Sequence, residues 1–270
     1  MHEQQLDLFS DSGAWVARPH PPASSPSLAA ADMDDNALIA AIAESCLADS
    51  TGLAAEAGRR RLVAAVPALG ELCRRFSGFG VERLVPEQVA ALEGLAEIGG
   101  RDAADTVAQI IERGAIQGPT LRIAVNVAAQ LHSVLSATVL LSLLQNPDPH
   151  CRADACRCAR PIPDVAARLV ILLNDVDGTV ARSAACALGH MGRVEALPMI
   201  KGLLRSTPSV DAIDAAASIV DDECVVLLGR IARAGMSLSG AAINALESID
   251  DPRAAKIVVA IHNLSGKTAM

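Results

Sequence analysis

From about Asn36 onward, Ala, Leu, Val and Ile recur at i, i+3 and i+4 spacing, interrupted by short polar turns such as "QNPDP" (145–149) and "NDVDG" (174–178). This period belongs to amphipathic helices, so the pattern predicts helix, turn, helix along most of the chain. The first 34 residues differ. "RPHPPASSPS" (18–27) and "AAADMDDNA" carry neither a helix nor a strand period, which predicts a disordered tail over 1–34.

The helical part repeats itself. "LRIAVNVAAQL" from Leu121, "CRADACRCARP" from Cys151 and "ARSAACALGHM" from Ala181 superpose in one register, with Arg122, Arg152 and Arg182 thirty residues apart. A second apolar helix follows each: "ATVLLSLL" (137–144), "DVAARLVILL" (164–173) and "EALPMIKGLL" (195–204). Fainter copies cover 89–111, 211–231 and 240–261, making about six helical hairpins. One hairpin cannot bury its apolar stripe alone, so copies stack, and the Ala-rich face of each first helix lets neighbours approach closely. Asp148 and Asp177 precede Arg152 and Arg182 in the inter-repeat turns, which predicts a turn-capping ladder between units.

The stretch "DGTVARSAACALGHMGRVEALPMIKGLL" (177–204) resembles a HEAT-like repeat of the short type seen in phycobilisome lyases. The resemblance covers about residues 86–263 and speaks for architecture far more than for activity. It implies an all-α, right-handed α-solenoid: a helical N-terminal capping region at 35–85 followed by the repeats at 86–266.

Composition narrows the setting. Of 270 residues, 51% are hydrophobic and 20% charged, yet no run approaches the roughly 20 uninterrupted apolar residues of a membrane span, so no membrane partner is expected. The opening residues lack the basic and apolar regions of a signal peptide. Seven cysteines, an odd number in Ala-rich surroundings, suit reduced thiols packed as small apolar groups, and the expected compartment is the cytoplasm. A net charge of −8 argues against direct binding to nucleic acid.

Candidate chemistry is sparse. "HCRADACRCAR" gathers His150, Cys151, Cys156 and Cys158, with Cys186 and His190 one repeat later. On a helix these three cysteines point in different directions, and no C-x-x-C pair supplies half of a tetrahedral site, so packing is expected rather than a metal. Neither G-x-x-x-x-G-K-[ST] nor a strand followed by G-x-G-x-x-G is present, and no Ser-His-Asp set is suggested by spacing. The di-iron hydroxylases that resemble this repeat need His-Glu pairs on successive helices, and the only one here is His2-Glu3. HEAT-like DNA glycosylases need aromatics and basic residues facing a flipped base, whereas the repeats hold no Tyr or Trp. Bilin lyases and chromophore chaperones carry no comparably sharp signature, so that branch stays open. "GRRR" (58–61), Arg74, Arg75 and Arg83 are interleaved with Glu56, Glu71, Glu82 and Glu87, which predicts a mixed-charge face. Phe76 and Phe79 in "RRFSGFG" are expected to plug the open end of the first repeat.

The tail carries the sharpest motif. "QLDLF", residues Gln5, Leu6, Asp7, Leu8 and Phe9, matches letter for letter the short peptide by which many bacterial polymerases and repair proteins dock on the ring-shaped sliding clamp. Leu8 and Phe9 would supply the large anchors a short peptide needs, Leu6 further apolar contact, and Gln5 an amide for the pocket rim. By average residue frequencies, five such letters arise by chance in roughly one chain of this length in a few thousand. Trp15 lies beyond the motif. The expectation is a noncatalytic scaffold or adaptor without a cofactor, binding protein partners on the solenoid and tethered to the sliding clamp in DNA replication or repair. The alternatives are a lyase or chaperone that loads a chromophore or cofactor onto a client, and an interaction scaffold with a self-docked tail.

Overall fold

The computed structural model of the chain describes residues 30–45, 47–235 and 237–267. Of the tail expected over 1–34, residues 1–29, with Gln5–Phe9 and Trp15, lie outside the described residues, as does Cys46, while Ala30–Asp32 form a short 3-10 helix and Asp34 caps the first α-helix. Among the described residues there are fifteen α-helices and no strand. They are α1 (Asp35–Glu44), α2 (Leu47–Arg59), α3 (Val66–Arg75), α4 (Pro86–Ile98), α5 (Gly100–Glu112), α6 (Gly118–Gln130), α7 (Ala137–Leu143) and α8 (Pro149–Arg157). After them come α9 (Pro163–Leu172), α10 (Gly178–His190), α11 (Leu197–Ser206), α12 (Val210–Ile219), α13 (Asp222–Arg233), α14 (Ser239–Ser248) and α15 (Pro252–Lys267).

The helices stack in two layers. Each even-numbered helix packs on the next, from α2 through α14, while α1, α3 and α5, then α7 and α9, then α11, α13 and α15 pack along the other side. The result is an all-α solenoid of helical hairpins. One apolar core runs through it from Leu38 to Ile261. Small residues set the spacing of the even layer: α10 buries Ala181, Ala184, Ala185, Ala187 and Gly189, and a Cβ added at Gly189 would lie 2.6 Å from the Cβ of Ala215 on α12.

Local signals start the helices. Asp148 accepts from the His150 N–H (2.9 Å), and Asp177 from those of Thr179 and Val180 (2.8 and 3.3 Å). Proline occupies the first turn of α3, α4, α6, α8, α9 and α11, where its missing N–H has no helical partner to lose.

The expected ladder takes another form. Asp148 and Asp177 are committed to their own helices, so Arg152 turns to the following inter-repeat turn and grips Asp175 through two bonds of 2.8 and 3.0 Å, donating also to the carbonyls of Asn146 and Pro147. Arg182 donates to Thr179 instead. The Arg152 guanidinium holds the Asp175 carboxyl below the usual carboxylate range.

At the N-terminal end the arginines are occupied as mixed-charge pairing predicts. Arg59 and Arg60 both bond Glu56, Arg74 bonds Glu71, and Arg75 donates to the carbonyls of Ile42, Ala43 and Ser45 at the end of α1. The two phenylalanines depart from expectation. Phe76 packs against the core, but Phe79 is 63% exposed, the rings meeting edge to face at 6.3 Å. They sit in the α3–α4 loop, and α1 and α2 already stack in front of that hairpin, leaving no end there to plug.

Candidate functional site

The loop over residues 76–85 leaves α3, crosses to α4 and drapes over the start of α6. Its base is pinned by Gln88, fully buried, whose amide donates to the carbonyls of Cys73, Phe76 and Ala115. Its far end is held by the Val85 N–H, which donates to the buried Thr120 hydroxyl at 3.1 Å. Gly118 makes the close approach possible: its φ is +56°, and an added Cβ would come within 2.3 Å of the carbonyl oxygens of Gly80 and Val81. Only glycine accommodates both conditions.

This arrangement leaves a depression of about 750 Å³ between the loop, α6 and the turn that begins α8. Leu84, Pro119, Leu121, Ile123 and Pro147 form its apolar walls. Its polar groups are Arg122, Asn126, Asn146, Asp148 and Asp154. Most of these are committed. Asp148 caps α8, Asn146 accepts from the Asp148 N–H (2.9 Å), and Asp154 accepts from Asn126 (3.2 Å) and Arg157 (3.4 Å). Arg122 makes no hydrogen bond or ion pair with the described residues. The site therefore offers an apolar trough with one uncommitted guanidinium. The loop that carries Leu84 also exposes Phe79 and Val81, 63% and 64% accessible.

A second depression of about 440 Å³ lies at the other ends of α6, α8 and α10, where His132, Arg157, Ser183 and Met191 surround a His190–Asp211 pair. The His190 Nε2 is 2.7 Å from Asp211, which raises the imidazole pKa and lowers that of the carboxyl. Arg157 and His190, in the last turns of α8 and α10, complement the dipoles of those two helices.

Cys151, Cys156 and Cys158 lie buried, as do Cys73, Cys186 and Cys224. Burial pushes the thiols of Cys73, Cys151, Cys156 and Cys158 up to about 12 and that of Cys224 to about 11, so they are neutral packing groups at physiological pH. Among the described residues, no three His, Cys, Asp or Glu side chains are placed to hold a metal ion. No helix among them is long and apolar enough to cross a membrane.

Sequence reasoning passed over this trough. Arg122 served only as a marker of the repeat. The available signal was the mismatch between two equivalent turns, Asn146 in one and Asp175 in the next, which leaves one arginine without a carboxylate.

No family model matches the chain, and no curated protein sequence matches it. Solved structures do. The complex of CpcE and CpcF of phycocyanin lyase from Nostoc sp. PCC7120 is similar with a TM-score of 0.59 at 17% identity, over 92% of this chain and 98% of that one. A second structure, YibA of Escherichia coli, has a TM-score of 0.43 at 15% identity, over 82% of this chain and 93% of that one. The chain thus has the HEAT-like repeat fold, and the first of these neighbours is part of a phycocyanin lyase.

That finding corrects the expectation of a noncatalytic protein: a fold shared with a lyase gives no ground for denying chemistry. The expectation leaned on missing linear motifs. A hairpin stack assembles its sites from side chains of successive repeats, as Arg122 and Asn146 show, and leaves no compact signature.

Proposed function

We propose that the protein is a lyase or chaperone of the HEAT-like class that holds a chromophore or cofactor and loads it onto a client protein, acting in the cytoplasm, where its thiols stay reduced. The observation that carries the reading is the trough beside α6: about 750 Å³, apolar-walled, with the Arg122 guanidinium uncommitted. Its size falls within the roughly 300–1,000 Å³ of small-molecule sites, and its composition suits a flat apolar ligand bearing a carboxylate. The fold likeness to a phycocyanin lyase supports this reading better than that of a clamp-tethered scaffold. The client would lie along the even layer, whose surface continues from the trough across α8 and α10.

Titration of the full chain with biliverdin, followed by the pigment's absorbance, tests this. Saturable binding is expected, and Arg122→Glu should weaken it about tenfold, or ~1.4 kcal/mol. Absence of saturable binding ends the reading for tetrapyrroles.

The peptide Gln5–Phe9 supports a second, compatible role: docking on the bacterial sliding clamp through Leu8 and Phe9, with Gln5, Leu6 and Asp7 completing the contact, so that the molecule is brought to sites of DNA replication or repair. A peptide of residues 1–14 should bind purified clamp and lose binding on Phe9→Ala.

A further inference from the structure

The loop over residues 76–85 and the trough it borders place a knob and a hole side by side on one surface. We propose that the protein forms a twofold dimer in which this loop of each copy seats in the trough beside α6 of the other. The inference goes beyond the reading of the trough as a loading site and does not depend on it.

The knob is held in shape. Phe79, Val81 and Leu84 are each more than half exposed, yet the loop is not free to fold them inward. Gln88 and Thr120 pin its base and its far end, and the carbonyls of Gly80 and Val81 lie against Gly118. The Phe79 ring is braced edge to face on Phe76. Apolar side chains on a loop already fixed in place lose little freedom when a partner covers them. Their accessible surface, on the order of 300 Å² per copy, is of the size that marks interaction sites. The hole is the trough of about 750 Å³, whose walls at Pro119, Leu121 and Ile123 give that surface an apolar seat.

Charge selects the occupant. Glu82 and Arg83, exposed beside the three apolar residues, make no hydrogen bond or ion pair with the described residues, and neither does Arg122. The trough carries both signs: Arg122, and Asp148, which uses one oxygen to cap α8, while Asp154 is taken up by Asn126 and Arg157. Across a twofold axis, Glu82 of each copy meets Arg122 of the other, and Arg83 meets Asp148. A purely acidic or purely basic partner would satisfy one of these groups and be repelled by the other. Every contact of such an interface occurs twice. The two loops and the walls they cover therefore remove about 1,200 Å² from water, the lower end of what a specific interface needs. One trough cannot hold the other copy's Phe79 and a small molecule together, so dimer and trough ligand exclude each other.

Sedimentation velocity of the full chain over a range of concentrations tests the proposal. A dimer is expected, and Phe79→Asp should weaken it by roughly thirtyfold or more, as loss of a buried aromatic anchor does. Glu82→Arg and Arg122→Glu should each disrupt the dimer, and the chain carrying both should restore it, because the exchanged charges meet again across the axis. A chain that stays monomeric throughout, a dimer indifferent to Phe79→Asp, or an exchanged pair that fails to restore association overturns the proposal. Biliverdin separates this inference from the loading site. If it binds and converts dimer to monomer, both stand. If it does not bind while the charge exchange restores the dimer, the loading site is lost and the dimer stands. If it binds and leaves the dimer intact, the loops do not seat in the troughs and the dimer proposal falls.

Discussion

Two neighbouring seams of the even layer, α6 against α8 and α8 against α10, are built from nearly the same parts and end up different. In both, an Asn or Asp in the preceding turn accepts the N–H two residues on at 2.9 Å: Asn146 from Asp148, Asp175 from Asp177. At the α8–α10 seam, Asp175 carries a charge and Arg152 folds into the turn that starts α10. At the α6–α8 seam the equivalent residue is neutral, Arg122 stays out, and a trough remains. One side-chain charge separates an occupied turn from an open trough. Electrostatic commitment of an arginine decides whether it is available to a ligand.

The harshest way to break this comparison is to remove the support of the open seam. Gly118→Ala forces a Cβ into the carbonyls of Gly80 and Val81 at a positive φ, and should cost about 3 kcal/mol or more in denaturant unfolding, with faster hydrogen exchange over residues 76–85. Next comes the closed seam. Asp175→Ala leaves Arg152 with its carbonyl partners only and should cost about 2 kcal/mol. Because the Asp175 pKa is lowered by folding, that stabilisation is present above the unfolded carboxylate pKa and lost as pH falls through the native value. The gap between wild type and variant should thus be constant above about pH 5 and vanish in acid.

The sharpening experiment is Asn146→Asp, which copies the closed seam into the open one. Arg122 should be drawn into the turn, stability should rise by about 0.5–1 kcal/mol, and biliverdin affinity should fall severalfold. The smallest effect is expected at the second depression. His190 and Asp211 are half exposed, so His190→Gln should cost under about 0.5 kcal/mol. Folding raises the His190 pKa, so this contribution is present below about pH 6.5 and disappears as pH rises through the native value, a trend that thermal melts across pH 5 to 9 would detect.

Much of the architecture was legible because repeats announce themselves. The Ala-rich first helices, their thirty-residue register and the six hairpins from α4 to α15 are present in the stacked layers where periodicity places them. The buried cysteines likewise follow from their apolar surroundings. Phe79 was misplaced because a hydrophobic letter in a Gly-rich loop does not state which way the loop runs. The trough was missed because its parts, Leu84, Arg122 and Asn146, lie up to sixty-two residues apart and belong to three different turns of the solenoid.

By itself the sequence determined that the chain makes helices, that the helices come in similar pairs and that small residues let the pairs stack, since period and residue size act locally and repeat by repeat. Only the tertiary structure decided which arginine is spent on the fold and which is left over. That choice depends on whether a carboxylate from the next repeat comes within hydrogen-bond reach, a distance no linear pattern records.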